Sequence, residues 1–270
     1  MSILVLGSNG MLGRYVYTYL KQSFSNVIGL TRKDVDASRI TDNIPLVIKN
    51  DDVVINCIGV IPQRGITEPM TYIMVNSLFP HVVSGMCNTV RAKFIHVSTD
   101  CVFSGTVGEY TEDSVHDATD LYGRTKSLGE PSNATIIRTS IIGEELLNKK
   151  SLLEWVRSNK GGVVQGYANH HWNGVTCHTL AKIIEHIITT RSFWSGVKHI
   201  HSPAPLSKYN LITTINEVYD LGIKVNPVLT HNSCDKTLKS IKPPLGMSIP
   251  EIHDQVVAQR EYGLLGLLLS

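Results

Sequence analysis

Short apolar runs, each stopped by a turn-forming or polar residue, alternate with longer stretches of helical spacing through the first half of the chain. Ile3-Leu4-Val5-Leu6 runs unbroken into Gly7, and residues 27–30, 52–57, 94–97 and 135–138 repeat the pattern. An unbroken apolar run suits a strand covered on both faces, whereas a half-exposed strand alternates. Between the runs, residues 11–20, 73–90 and 122–130 carry the spacing of helices. Strands alternating with helices predict an α/β fold: a doubly wound parallel sheet of the Rossmann type. In such sheets ligands sit beyond the carboxyl ends of the strands.

The rhythm changes after about residue 143. Helices are predicted at 151–158, at 179–190 (Leu180, Ile183, Ile184, Ile187 and Ile188 on one side) and at 209–219, with short strands at 199–201 and 224–227. Prolines punctuate the remainder. Residues 1–145 are therefore expected to form a dinucleotide-binding domain. Residues 146–270 are expected to form mainly a smaller α+β substrate-binding lobe, with some segments returning to the first domain. The apolar end, residues 263–270, reads as a packed terminus, a homodimer contact or a tail.

Composition narrows the choices. With 42% hydrophobic and 18% charged residues and a net charge of +2, neither a nucleic-acid face nor an acidic tail is indicated. The first apolar run is too short and lacks the basic flank of a secretion signal, and no run approaches the ~20 apolar residues that span a bilayer. The five cysteines are scattered without metal-ligand spacing and read as reduced thiols, so a cytoplasmic protein is expected. His170-His171 fits a loop near the substrate, and His199 and His201 fit one face of a strand. Neither pair has carboxylates at ligand spacing, so no metal is expected.

Gly7-Ser8-Asn9-Gly10-Met11-Leu12-Gly13 follows the first strand and opens the first helix. Gly7 allows the tight turn, Gly10 lets the backbone approach a pyrophosphate, and Gly13 lets helix and strand pack closely. The helix N-terminus offers free N–H groups to phosphate. Thr31-Arg32-Lys33, after the second strand, is read as cofactor-binding. Arg32 and Lys33 suit a 2′-phosphate, while Asp36 suits the adenine edge or an NAD ribose. NADP(H) is the expected cofactor and NAD(H) the alternative.

Tyr122 and Lys126 are four residues apart and share a helix face. A neighbouring ammonium favours phenolate and lowers the phenol's pKa, tuning it to exchange a proton with a carbonyl oxygen. Ser98-Thr99-Asp100 ends the preceding strand and offers hydroxyls to polarise that carbonyl. The Asn76 amide is placed to serve a proton relay to Lys126. Trp155 and Trp172 suit stacking on a base or sugar, or core packing. Lys149, Lys150, Arg157 and Lys208 are available to a substrate pyrophosphate, and the sequence does not choose among them.

Three segments carry a resemblance: FIHVSTDCVFSG from Phe94, DLYGRTKSLGE from Asp120 and IIRTSIIG from Ile136. Together they resemble the dTDP-4-dehydrorhamnose reductase family of extended short-chain dehydrogenases/reductases, strongly over about the first 145 residues. The resemblance implies that Thr99 binds the carbonyl, Tyr122 donates the proton, and Lys126 tunes Tyr122 and holds the nicotinamide ribose. It implies that Gly7, Asn9, Gly10, Met11 and Leu12 line the pyrophosphate, and that Cys57, Ile58 and Gly59 lie near a ribose. Ser98 would flank the nicotinamide, and Thr139 and Ser140 would bound the nicotinamide amide and the sugar. The implied activity is NADPH-dependent reduction of a nucleotide-linked 4-keto-6-deoxy sugar. The alternatives are a sugar-nucleotide epimerase or dehydratase that retains its cofactor, and an NADP-binding regulatory subunit. Cys101 replaces the family's usual tyrosine, Ile141 stands where an aromatic often follows, and residues 59–64 differ in character. These departures bear on the sugar, not on the hydride chemistry.

Overall fold

A computed structural model describes residues 1–39, 46–147 and 149–266. In chain order the strands are β1 (Ile3–Leu6), β2 (Val27–Leu30), β3 (Val53–Asn56), β4 (Lys93–Thr99), β5 (Thr135–Thr139), β6 (Ile141–Ile142), β7 (Val163–Tyr167), β8 (His170–Trp172), β9 (Val175–Thr176), β10 (Gly196–His199), β11 (Leu206–Ser207), β12 (Lys224–Val228) and β13 (Cys234–Asp235). The helices are α1 (Met11–Ser23), α2 (Pro69–Tyr72), α3 (Phe79–Val90), α4 (Leu121–Leu128), α5 (Leu152–Ser158), α6 (Cys177–Thr190), α7 (Lys208–Tyr219) and α8 (Ile252–Gly266).

Six strands pair in the order β10-β5-β4-β3-β1-β2, every pair parallel. The unbroken apolar runs have the reason expected of them. Ile3 and Val5 join a core with Tyr15 and Val16 of α1 and Ile183 and Ile184 of α6. Leu4 and Leu6 point the other way, into a core with Val75, Phe79 and Val83. Both faces of the sheet are thus covered, the condition that makes continuous apolar strands stable. The winding reverses between β1 and β3, and the crevice above their carboxyl ends is where a doubly wound sheet takes its ligand.

Two late segments join this first layer. β10 pairs with β5 at the sheet edge, and α6 packs along α1. A second core gathers Leu153 and Val156 of α5, Leu211 and Ile215 of α7, Ile252 and Val256 of α8, and Trp172. The loop after β4 is sewn to late residues as well: Asp235 N–H donates to Gly105 O at 2.7 Å, and Tyr110 N–H donates to Thr237 O at 2.9 Å.

Several expectations need correction. The helix expected over 73–90 begins earlier, and Ile73–Leu78 winds as a π-helix between α2 and α3. His170 and His171 lie on β8 rather than in a loop, and the strand expected to include His201 ends at His199. β7 was not anticipated, because one of its inward positions is Gly166, where an added Cβ would lie 2.7 Å from Tyr209 Cα. Nor was α8, whose inner face carries glutamines. Gln255 accepts from Thr176 N–H at 3.1 Å and donates to Ser202 Oγ at 2.8 Å and Pro250 O at 2.7 Å, while Gln259 accepts from His178 N–H. Of the apolar end, residues 263–266 close α8 and 267–270 lie outside the described residues.

Gln255→Ala is expected to destabilise the fold by about 2–3 kcal/mol, since it leaves buried donors and acceptors without partners. Urea denaturation checks this, and an unchanged midpoint would contradict it.

Candidate functional site

The glycine loop sits at the carboxyl end of β1. Gly7 adopts a left-handed φ of 77°, and Gly10 N–H donates back to Gly7 O at 2.9 Å. A Cβ on Gly13 would lie 2.1 Å from Gly7 O, so only glycine lets α1 enter this close to the strand. No side chain caps α1, whose N-terminal N–H groups face a cleft. Gly7, Asn9, Gly10, Arg32, Asp36, Cys57, Ile58 and Gly59 line that cleft. Met11 and Arg14 line its continuation. Leu12 instead turns its side chain into the core, leaving only its backbone for a phosphate.

Arg14 was not anticipated. It is buried, donates weakly to Glu144 O at 3.4 Å, and leaves Nη1 without any partner among the described residues. A buried guanidinium nitrogen with nothing to bond is costly, and an anion at the loop would satisfy it. At the second strand, Arg32 is largely exposed and reaches Asp36 at 3.3 Å. Asp36 also accepts from Ser38 Oγ at 2.6 Å and pairs with Arg39 at 3.7 Å, so its carboxylate is already engaged. Thr31 is not brought to the cleft: its N–H and hydroxyl both donate to Asp34 at 2.8 Å.

Thr99 ends β4 and opens a single 3₁₀ turn, accepting from Cys101 N–H and donating to Asp100 Oδ1, both at 3.1 Å. Tyr122 stands in the first turn of α4, whose N-terminus is capped by Asp120 accepting from Gly123 N–H at 2.9 Å. The glycines of the YGxxKxxGE segment are contact residues. A Cβ on Gly123 would lie 2.2 Å from Cys101 O, and one on Gly129 would lie 1.8 Å from Asn76 O. Without side chains there, α4 lies against both the 3₁₀ turn and the π-helix, bringing Tyr122 to the Thr99 hydroxyl.

Lys126 is not among the groups that shift Tyr122. Burial pushes the phenol's pKa up, the charges of Cys101 and Asp100 add to this, and the Thr99 hydroxyl alone of the near groups opposes it. Lys126 is turned to the strand: its Nζ donates to Val97 O at 3.0 Å and lies 3.4 Å from His96 Nε2. Burial lowers the ammonium to about 8. Asn76 is engaged with the chain itself. Its amide accepts from Val60 N–H at 2.9 Å and donates to Val60 O at 3.0 Å and to Thr125 Oγ1 at 3.3 Å, clamping the cleft wall after β3.

Ser98 donates to Glu130, which forms a two-point pair with Arg138, Nε–Oε1 at 3.1 Å and Nη2–Oε2 at 2.6 Å. Arg138 is 1% exposed and is surrounded by His116, His199 and the Phe103 ring. Thr139 is buried with its hydroxyl on Ser140 O, and Ser140 is partly exposed beside it. Trp172 is a core residue, 3% exposed, with Lys208 Nζ 5.3 Å from its ring centre. Trp155 is exposed, Lys149 and Lys150 point to solvent, and Arg157 pairs with Glu154 at 3.1 Å. Lys208 and Lys236 instead flank Asp100 and Cys101, close enough to perturb their titration. Lys236 carried no recognisable signal in the sequence. Among the described residues no group of His, Cys, Asp and Glu could hold a metal, all five cysteines are unpaired, and no helix is long and apolar enough to cross a membrane.

A doubly wound parallel sheet, an uncapped glycine-turn helix at the switch point and a Thr–Tyr pair at the next strand end define a dinucleotide-site α/β protein of the short-chain dehydrogenase type. The chain belongs to the family described as RmlD substrate binding domain, whose model matches residues 1–242. It is 28% identical to a dTDP-4-keto-6-deoxy-D-glucose reductase of Streptomyces niveus, over 77% of this chain and 75% of that one. It is 33% identical to a dTDP-4-dehydrorhamnose reductase of Mycolicibacterium smegmatis, over 51% of this chain and 45% of the relative. The fold matches that of the Bacillus anthracis dTDP-4-dehydrorhamnose reductase solved with NADP, at a TM-score of 0.77 and 18% identity, over 96% and 98% of the two chains.

Glu130→Ala would strand the Arg138 charge inside the protein, and a loss of about 3–5 kcal/mol is expected on urea unfolding. A loss below 1 kcal/mol would show that the pair does not hold this end of the sheet.

Proposed function

We propose that this protein uses NADPH to reduce the keto group of a nucleotide-linked 4-keto-6-deoxy sugar. The observation that carries the reading is the meeting of the Thr99 hydroxyl and the Tyr122 phenol at the carboxyl edge of β4, on the sheet whose switch-point crevice opens on the glycine loop. The relatives named as reductases of such sugars support the same assignment.

The cleft fits the cofactor. The turn at Gly7, the free N–H groups of α1 and the unpartnered Arg14 nitrogen suit a pyrophosphate, and exposed Arg32 suits a 2′-phosphate. With Asp36 tied to Arg32, Arg39 and Ser38, an NAD ribose is the less favoured guest, and NAD(H) stands as the alternative. Bound there, NADPH supplies hydride to the carbonyl carbon.

The protein's own groups manage the oxygen. Thr99 donates a hydrogen bond to the carbonyl, stabilising charge as it develops. Tyr122 gives the proton. A phenol is protonated at neutral pH, and burial holds this one so, which is the state needed for reduction rather than oxidation. Lys126, on the same helix face, steadies the phenolate that remains. Asn76 holds the wall formed by Cys57, Ile58 and Gly59, and Ser98, fixed by Glu130, holds the end of β4. Thr139 and Ser140 bound the far side of the cleft. Lys208 and Lys236, beside Asp100 and Cys101, are read as the cations for the substrate diphosphate, with Trp172 supporting Lys208 from below. On this reading residues 1–145 supply the cofactor and proton-transfer groups. Residues 146–270 mainly supply the sugar-nucleotide side, with α6 and β10 returned to the first layer.

NADPH oxidation against dTDP-, UDP- and GDP-linked 4-keto sugars tests the assignment. Turnover is expected with at least one of them, and Tyr122→Phe is expected to reduce it roughly 10³-fold or more with NADPH affinity nearly unchanged. A panel without turnover, or an undiminished variant, would remove the reading. Arg32→Ala is expected to weaken NADPH binding roughly tenfold or more and to leave NADH binding unaltered. Titration by nicotinamide fluorescence distinguishes the two, and an equal effect on both would remove Arg32 from the 2′-phosphate.

A further inference from the structure

One side chain that lies against Lys126 Nζ is not used by the reaction. His96 lies on the central strand β4 and is 0% exposed. Its Nδ1 is 3.1 Å from Asn56 Nδ2 on the neighbouring strand, and its Nε2 is 3.4 Å from Lys126 Nζ. The orientation of the Asn56 amide is fixed independently, because its Oδ1 accepts from Ile58 N–H at 3.0 Å. Nδ2 must therefore be the atom that faces His96, and an amide nitrogen only donates. His96 Nδ1 must then accept, which places the ring's single proton on Nε2.

That tautomer has a consequence for the lysine. An Nε2–H aimed at Nζ makes a hydrogen bond only if Nζ carries a lone pair, that is, if Lys126 is a neutral amine. The same amine can still donate to Val97 O, as the geometry shows. An ammonium in this position would set one donor against another. The ring cannot relieve the conflict by charging, since burial and the Lys126 charge both hold the imidazole well below its usual range.

We propose that Asn56 and His96 are positioning residues that favour the neutral amine of Lys126 against β4 in the free protein, so that at alkaline pH cofactor binding is coupled to protonation of Lys126 and its release toward the cleft. The amine lone pair takes a proton from solvent when the cofactor arrives, and the proton returns to solvent when the cofactor leaves. No other bond is made or broken. Around the pair, Glu130 just past the end of α4 favours the ammonium, the Cys57 thiol after β3 is kept protonated by burial, and a charge on His81 of α3 would act against one on His96. Tyr122 shares the lysine's helix face and receives the benefit once the ammonium has moved. This account reconciles a lysine that is poorly placed to lower the Tyr122 pKa in the free protein with the part it plays during turnover.

The proposal rests on the cleft being an NADPH site, and its test separates the two. Calorimetric titration with NADPH in buffers of different ionisation enthalpy counts the protons taken up. At pH 8.5, where Lys126 is mostly neutral and a phosphate is fully ionised, uptake of roughly 0.5–0.8 proton per NADPH is expected, falling below about 0.2 at pH 7. The uptake is expected to vanish in Lys126→Met. In Asn56→Asp a carboxylate can accept from Nδ1–H, the tautomer reverses, and uptake is expected to fall by half or more. Independently of any variant or ligand, ¹⁵N-detected histidine spectra of the free protein are expected to show His96 protonated at Nε2 and bare at Nδ1. Binding without uptake, uptake that survives Lys126→Met, or an Nδ1–H ring would each overturn the proposal. Absence of any binding heat would overturn the preceding reading and this one with it.

Discussion

Glu130 carries its charge inside the protein, and the catalytic end is arranged around what that charge reaches. Arg138 meets it with two parallel hydrogen bonds from β5, and Ser98 meets it from β4. The carboxylate itself hangs just past the end of α4, the helix of Tyr122 and Lys126. One side chain thereby fixes three elements relative to one another: two strand ends that present hydroxyls and the helix that presents the phenol. A buried charge pair contributes little net stability, but breaking it is expensive, which makes it a strict spacer. Gly123 and Gly129 work in the same direction from the steric side, admitting α4 to distances that any Cβ would forbid.

Much of this was legible in the residue pattern, and the reasons are specific. The apolar runs at 3–6 and 53–55 announced parallel strands because both faces are buried, which favours an apolar residue at each of those positions. The glycine loop was legible because its three glycines answer three separate steric demands. Tyr122 and Lys126 were found by their helical interval, and Thr99 by its place at a strand end. What escaped was held by polar contacts between residues far apart in the chain. The glutamines of α8 satisfy backbone and side-chain groups contributed by residues 176, 178 and 202, so no apolar stripe marks that helix. Arg14 escaped because nothing in the spacing of an amphipathic helix separates a cleft-facing cation from a solvated one. Lys236 stands in a stretch without periodicity and becomes meaningful only when the fold sets it beside Asp100. The direction of Lys126 could not be read either, because an interval of four residues fixes a shared face but not the partner each side chain selects.

The two halves of the chain meet at the loop that follows β4. Residues 100–110 carry Asp100 and Cys101 toward the substrate side, and residues 234–238 grip them through backbone hydrogen bonds and the small apolar cluster of Val102, Phe103, Tyr110 and Leu238. The departure from the family at Cys101 therefore falls where groups from both halves converge: its thiol lies 3.6 Å from Asp100 Oδ1, with Lys236 close by. A small thiol in place of a large phenol leaves more room at that point and removes a hydroxyl. On the proposed reading both changes fall on the sugar side and leave the Thr99–Tyr122 pair as it is.

The place of β10 at the sheet margin bears on how the polypeptide can be made and cut. β5 receives its outer neighbour only from residues 196–199. A nascent chain of only the first 145 residues therefore carries a sheet that ends at β5, a strand buried at every position once β10 is in place, and such an exposed apolar edge invites foreign strands. The same holds for an excised N-terminal fragment, which would also lack α6 over α1 and so expose an oily flank. The cofactor half is thus not a detachable module. Its sheet is complete only once residues 196–199 have been added, and expression trials of residues 1–145 alone would meet aggregation before they met weak binding.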